Sequence, residues 1–300
     1  VSSSRPGTVF GARNADDARL LGRRRRSNAI FTGVVYASVA VAIVPLVAIV
    51  YYVGRKGGAV VNVAFLTKEI PVLSRSVGPG MGPAIIGTLL ITGVATLMAV
   101  PLGILAAVYL NEYGKKNRLA TVIRTMADVM TGVPSIVMGL FIYTIWVLQF
   151  GLSGFAGSLA LACLMLPIVI RSTEEILRLV PAGLREASMA LGASRARTIV
   201  TVVLPAAISG ITSGSLLAVA RAAGETAPLL FTIGAARQVN TQVFNGANTA
   251  LSTQIFRNAQ LPFVGAQQRA WGAALTLIVL VVVLTILARI VTKRFSVPLR

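Results

Sequence analysis

Arg221 and Glu225 stand inside an otherwise apolar run, in the segment ARAAGETAPLLFT. A charge at the centre of a membrane-crossing helix costs about 2.5–3.5 kcal/mol on insertion scales, so such residues face a cavity or a partner rather than lipid. Their i, i+4 spacing puts both on one helix face if the helix continues to Glu225. At about 100° per residue, Gly210 and Gly214 fall on the same face. Gly210-x-x-x-Gly214 is a small-residue spacing that lets another helix approach closely. The pair therefore points into a helix bundle. Two roles fit it. One is a structural ion pair that fixes helix register. The other is an anion site, in which the planar guanidinium fork matches the oxygens of phosphate. Glu225 would then hold the fork in place and keep the anion from binding too tightly. Gly224 and Pro228 make the end of this helix breakable.

Other charged residues flank the apolar runs. Arg171 follows LMLPIVI and either snorkels to the interface or lines an exit for the anion. Asp128 is expected to be a helix-start carboxylate, favoured by the helix dipole. Glu174 and Glu175 read as solvated helix-start charges. Asn111, Glu112 and Tyr113 read as interfacial anchors, and Tyr143 and Trp146 as part of an aromatic belt.

A second constellation is polar and lies between two apolar runs: EASMALGASRARTIVTVVLP, residues 186–205. Ala187, Ala190 and Leu191 give an apolar face before Gly192. Ile199, Val203 and Leu204 give another after it. The spacing predicts two short helices broken at the glycine, with Pro205 marking the next boundary. A structured helix pair on the aqueous side of a membrane protein suits docking of a partner.

These residues need elements to position them, and composition says which. Hydrophobic residues make up 55% of the 300 and charged residues only 12%, too apolar for a soluble domain. Six spans are expected, at about 29–53, 84–109, 129–150, 155–172, 206–233 and 269–290, since crossing the hydrocarbon takes about 20 residues. The fold class is all-α, a polytopic membrane protein. Pro45, Pro101, Pro134 and Pro167 fall inside spans, where neighbouring helices can satisfy the freed carbonyls.

The net charge of +19 is not read as a nucleic-acid signal, because the cations sit in the connections between spans. Twenty cations lie in residues 1–28, the second-to-third loop, the fourth-to-fifth loop and the C-terminal end, against seven on the other side. That asymmetry places both termini and the 173–205 loop in the cytoplasm. The domains read as an Arg-rich tail at 1–28, a six-span domain at 29–292 and a C-terminal tail at 293–300. The first span shows no small-residue cleavage signature after it and is expected to be a retained anchor. The loops 54–83 and 235–268 face outward, as a docking surface for a soluble partner or as plain connectors.

The chain has no histidine, which removes His-based metal sites and general bases. Its one cysteine, Cys163, permits no internal disulfide. There is no GxxxxGK[ST] loop to hold a nucleotide. Neither a metal nor a cofactor is expected.

The 186–205 spacing closely resembles the EAA loop of ABC-importer permeases, departing from it mildly at Ser188 and Val202. The resemblance implies a type I ABC-importer permease fold and a docking role for Glu186, Ala187, Gly192, Leu204 and Pro205. ARAAGETAPLLFT looks like the fifth-span motif of the phosphate importer's inner-membrane permeases, of the PstA type. GPAIIGTLLIT, PLGILAAVYLNEY and GVPSIVMGLF are similar to that family too, and the likeness covers most of residues 60–293. It implies two copies of a cytoplasmic ATPase, a paired phosphate permease and an extracytoplasmic phosphate-binding protein in a prokaryotic inner or plasma membrane. It also implies that ATP hydrolysis occurs on another chain and that Arg221, Glu225 and Arg171 line the substrate pathway. The competing readings are a permease for another oxyanion, sulfate or molybdate, and a self-contained channel or secondary transporter.

Overall fold

The structure is a computed structural model. It describes residues 15–295, with 77, 79, 115 and 116 excepted. Of the expected tails, residues 1–14 and 296–300 lie outside the described residues. The chain divides into two compact units, Val1–Tyr52 and Val53–Arg300. The first consists, where described, of the helix α1 (Ala15–Gly58), whose last turn belongs to the second unit. Its apolar run favours a helix because only internal hydrogen bonds satisfy a backbone in lipid.

In the second unit a short helix α2 (Val63–Thr67) leads to α3 (Gly82–Val108), which widens into a π-helical turn at Tyr109–Tyr113. α4 (Arg118–Gly132) and α5 (Ser135–Ile142) follow. After a second wide turn at Tyr143–Val147 and the single turn α6 (Leu148–Phe150) comes α7 (Gly154–Leu179). Then come α8 (Ala182–Ala190), α9 (Arg195–Thr198), a wide turn at Ile199–Val203 and α10 (Leu204–Gly224). The chain ends with α11 (Ala227–Thr232), α12 (Leu251–Ala259) and α13 (Val264–Phe295). No strand occurs among the described residues.

Among the described residues, five helices are long and apolar enough to cross a membrane. The pair Arg118–Gly132 and Ser135–Phe150, bent by 106°, passes the same test together and brings the number to six. The third expected span is thus not one helix. Pro134 lacks an N–H and biases Val133 to extended backbone, which is what Val133 adopts (ψ 127°). The fifth is broken as well: α10 stops at Gly224, Glu225 is extended, and α11 starts two residues later. The fourth runs seven residues past its expected end, to Leu179.

α7 is the central post, and α3 packs along most of it. Glycines set the close approaches. A methyl group at Gly103 would meet Val169 at 2.7 Å, one at Gly210 would meet Ile176 at 2.6 Å, and one at Gly214 would meet Ser172 at 2.5 Å. The Gly210–Gly214 face therefore packs on α7, as its spacing predicts. One buried cluster joins Ile91, Ala95 and Ala99 of α3, Leu161 and Met165 of α7, and Ala222 and Leu229 from either side of the fifth-span break.

The loops 54–83 and 235–268 each carry a short helix, α2 and α12. Within 235–268, α12 buries Ser252, Thr253, Gln254 and Asn258. Its first amide, Leu251 N–H, donates to Thr88 Oγ1 of α3 at 2.8 Å, so a neighbouring helix supplies the cap. At 26 residues, α7 is about 39 Å long. Its N-terminal end meets the 235–249 segment through Phe155 N–H to Val243 O at 2.6 Å, and its C-terminal end carries the 180–205 segment. These two segments thus lie at opposite ends of the bundle.

Candidate functional site

Arg221 is in the last turn of α10 and Glu225 caps it. Although the helix ends between them, Arg221 Nε and Glu225 Oε1 lie 3.5 Å apart. The Arg221 side chain is 69% exposed and that of Glu225 19%. Both line a cavity of about 250 Å³. Its other walls are Val133, Pro134 and Ser135 at the break of the third span, and Leu164, Pro167 and Ile168 of α7. Three interruptions converge there: the Val133–Pro134 break, the proline within α7 and the Gly224–Glu225 break. Irregular backbone at membrane depth is tolerated where it lines a cavity. The result is a guanidinium held on one side by a carboxylate and open on the other, which suits recognition of a small oxyanion.

Arg171 and Asp128, expected in separate roles, form an ion pair with each other. Asp128 lies in the last turn of α4, so the helix-start reading is corrected: the carboxylate is at the wrong end of its helix to gain from the dipole and is stabilised by Arg171 instead. Arg171 is one helical turn along α7 from Ile168, toward the 180–205 end of the bundle.

The 186–205 segment has the expected break. Gly192 has φ +85°, a backbone region that side chains with a Cβ rarely adopt. Around it Glu186 and Ala187 are exposed, Leu191 is 89% exposed and Met189 46%. Ser188 Oγ and Thr198 Oγ1, 2.9 Å apart, hold the two arms together. Pro205 stands at the expected boundary, as the second residue of α10, although α9, the wide turn and α10 follow one another without a gap. The wider hydrogen-bond register of the turn accommodates a residue with no N–H. Leu204 is half-buried beside the core of Ala107, Leu177, Val203 and Ala207. This segment is therefore packed against, and continuous with, the fifth span.

The ion pairs that hold the segment to the bundle went unread in the sequence. Glu112 was expected to be an interfacial anchor, yet it is 5% exposed and buried in the π-turn that ends α3. Its Oε1 accepts from Arg185 Nη2 at 2.9 Å, Arg185 Nε at 3.1 Å and Asn111 Nδ2 at 2.8 Å. Arg185 also donates to the carbonyls of Val180 (2.7 Å) and Leu177 (2.9 Å) at the end of α7. The next residue, Tyr113, stacks under Arg195 with the cation 4.9 Å from the ring centroid. Glu174, expected to be solvated, is buried because α7 continues past it, and it accepts from Arg124 (2.9 Å) and Arg178 (2.6 Å). Arg124 donates in addition to Leu110 O at 2.9 Å. Only Arg185, in α8 beside Glu186, hinted at this junction. Its partner is 73 positions away. Trp146 packs on Phe150 and Phe155, at 4.6 and 4.9 Å between ring centroids.

Comparison with known proteins follows the same lines. The chain is 43% identical over 285 residues to the phosphate transport system permease protein PstA 1 of Mycobacterium tuberculosis, covering 92% of each chain. It is 46% identical over 263 residues to PstA of Mycobacterium leprae, covering 86% of each. It is 42% identical over 269 residues to PstA of Yersinia pestis, covering 89% of this chain and 90% of that one. Among solved structures, the fold resembles the inward-facing MetNI methionine ABC transporter (TM-score 0.54, 20% identity, 71% of this chain and 93% of that one). It also resembles a bacterial ABC transporter involved in import of the acidic polysaccharide alginate (TM-score 0.56, 17% identity, 91% and 100%). Residues 99–297, which include both the 186–205 segment and the broken fifth span, match one family, and the chain belongs to it: the binding-protein-dependent transport system inner membrane components.

Proposed function

We infer that this chain is the membrane-embedded permease of an ATP-driven importer and that it translocates inorganic phosphate. The observation that carries the substrate is the Arg221–Glu225 pair beside a cavity built from three helix interruptions. The phosphate permeases to which the chain is 42–46% identical over most of its length support the choice among oxyanions. ATP hydrolysis is assigned to a partner, two copies of a cytoplasmic ATPase that seat on the exposed face around Gly192. A paired permease completes the pathway and an extracytoplasmic binding protein delivers the anion. Both termini and the 173–205 segment are cytoplasmic, on the cation asymmetry. Arg171, paired to Asp128 one turn further along α7, is assigned to the inner part of the pathway. ATP-driven movement of the coupling segment shifts the bundle between outward and inward states.

The test is uptake of labelled phosphate, sulfate and molybdate by cells that lack their own high-affinity phosphate permeases and express this chain with its partners. Phosphate uptake that collapses in Arg221→Gln is the expected result. Uptake of sulfate or molybdate without phosphate would overturn the substrate assignment.

A further inference from the structure

At the end of the bundle away from the coupling segment lies a larger cavity, of about 790 Å³. The strand of chain at Glu69–Ser74, the 235–240 segment and one face of α12 form its walls. Arg237, Arg257 and Arg269 all line it, against a single carboxylate, Glu69. Glu69 is the only acidic residue anywhere in the two loops 54–83 and 235–268. Among the described residues, none of the three arginines forms an ion pair.

Their hydrogen bonding is incomplete. Arg257 gives only Nη2, to Gly234 O at 2.9 Å, and burial lowers its pKa from the ordinary value while leaving it a cation at neutral pH. Arg269 is 2% exposed and clamps the Ser74 and Ser76 carbonyls at 2.6 Å each, yet its Nε has no acceptor. Arg237 is exposed, and only its carbonyl is engaged, by Ile70 N–H at 3.1 Å. Buried donors without acceptors are costly, and a partly desolvated cation gains more from an anion than a solvated one does.

This cavity connects to the inner pair through one short helix. α12 carries Arg257 near its end and Ser252 near its start, about 7.5 Å apart along the axis. Ser252 Oγ donates to the carbonyl of Glu225 at 2.8 Å. The same rigid element thus lines the outer cavity and touches the fifth-span break.

We propose that this cavity is an outer receiving site, in which Arg237 and Arg257 hold a small oxyanion before it passes along α12 to Arg221 and Glu225. The site rests on the phosphate reading for its occupant and on the cytoplasmic placement of the coupling segment for its sidedness. A cleft lined by one sign of charge with low-dielectric walls focuses the field and concentrates the counter-ion. Arg257 and Arg269 have a second duty as clamps on loop carbonyls, so an anion arriving there bridges the 69–74 and 235–240 walls.

The test uses the complete importer in right-side-out vesicles, without the soluble binding protein. Gln238→Cys in a Cys163→Ser background places a thiol on the exposed rim. A negatively charged thiosulfonate reagent should label it about tenfold faster than a positively charged one. Arg237→Gln should lower that ratio several-fold, and since the Arg237 side chain holds nothing, the fold is kept. Arg257→Lys, which keeps the cation, should leave the ratio near its starting value. Inorganic phosphate should slow labelling more than chloride at matched ionic strength, and Arg237→Gln should remove this protection. If sulfate protects and phosphate does not, the receiving site stands and the phosphate reading falls. If no oxyanion protects, or only the added binding protein does, the cavity is a charged docking face and the proposal is overturned.

Discussion

Arg221 and Glu225 are separated by a helix end, and this alters what the pair can do. An i, i+4 pair on a continuous helix is a register device worth a few tenths of a kcal/mol. Here Glu225 is on extended backbone, and the guanidinium is left mostly open. Arg221→Gln should lower phosphate uptake by roughly tenfold to a hundredfold, the equivalent of a lost charge-assisted contact, with assembly unchanged in a pulldown of the partner subunits. Arg221→Lys should also transport poorly, because a point charge does not replace a planar fork. The double variant Arg221→Gln, Glu225→Gln separates the roles. Stable insertion without uptake fits anion contact, whereas full uptake would reduce the pair to a register device.

At the scale of elements, the proposed coupling rests on two turns. Gly192 sits at φ +85° beside exposed Met189 and Leu191, where a β-branched residue costs about 1–2 kcal/mol and moves both arms. Gly192→Val should insert normally but uncouple transport from ATP hydrolysis, and normal uptake by an assembled variant would refute the docking role. The π-turn at Tyr109–Tyr113 is the second. It buries Glu112 under Arg185, so a push on α8 reaches the ends of both α3 and α7. Glu112→Gln leaves a buried guanidinium without its counter-charge, at a cost of about 3 kcal/mol. Thermal melting of the purified importer should show the loss, and uptake per ATP hydrolysed should fall with it.

For the whole molecule, sidedness is the claim to test. Cysteine labelling in intact cells should reach Gln238→Cys from outside and Ser194→Cys only after permeabilisation; external labelling at Ser194 would invert the assignment. Ser252 is unsuited as the outer reporter, since it is 3% exposed and tied to the Glu225 carbonyl. The two positions belong to segments at opposite ends of α7, so a chain that crosses the membrane along α7 must divide them between its two faces.

Apolar length and small-residue spacing are local properties, and the sequence by itself determined what depends on them. The helical class, the existence of long apolar spans, the Gly210–Gly214 packing face and the turn at Gly192 all follow from residues near one another in the chain. Tertiary structure alone decided what depends on partners from elsewhere. Glu112 and Glu174 look like ordinary charges at the ends of apolar runs. They are buried because Arg185, 73 positions away, and Arg124, 50 positions away, arrive to neutralise them. Asp128 is not at a helix start because α4 begins ten residues before it, at Arg118, and it meets Arg171 of α7 instead. The three outer arginines are scattered over the 235–268 loop and the start of α13, and only the fold brings them, with Glu69–Ser74, to the wall of one cavity. Periodicity reports which face of a helix is apolar. It carries no information about which distant charge will stand opposite, because that pairing is set by the packing of whole helices.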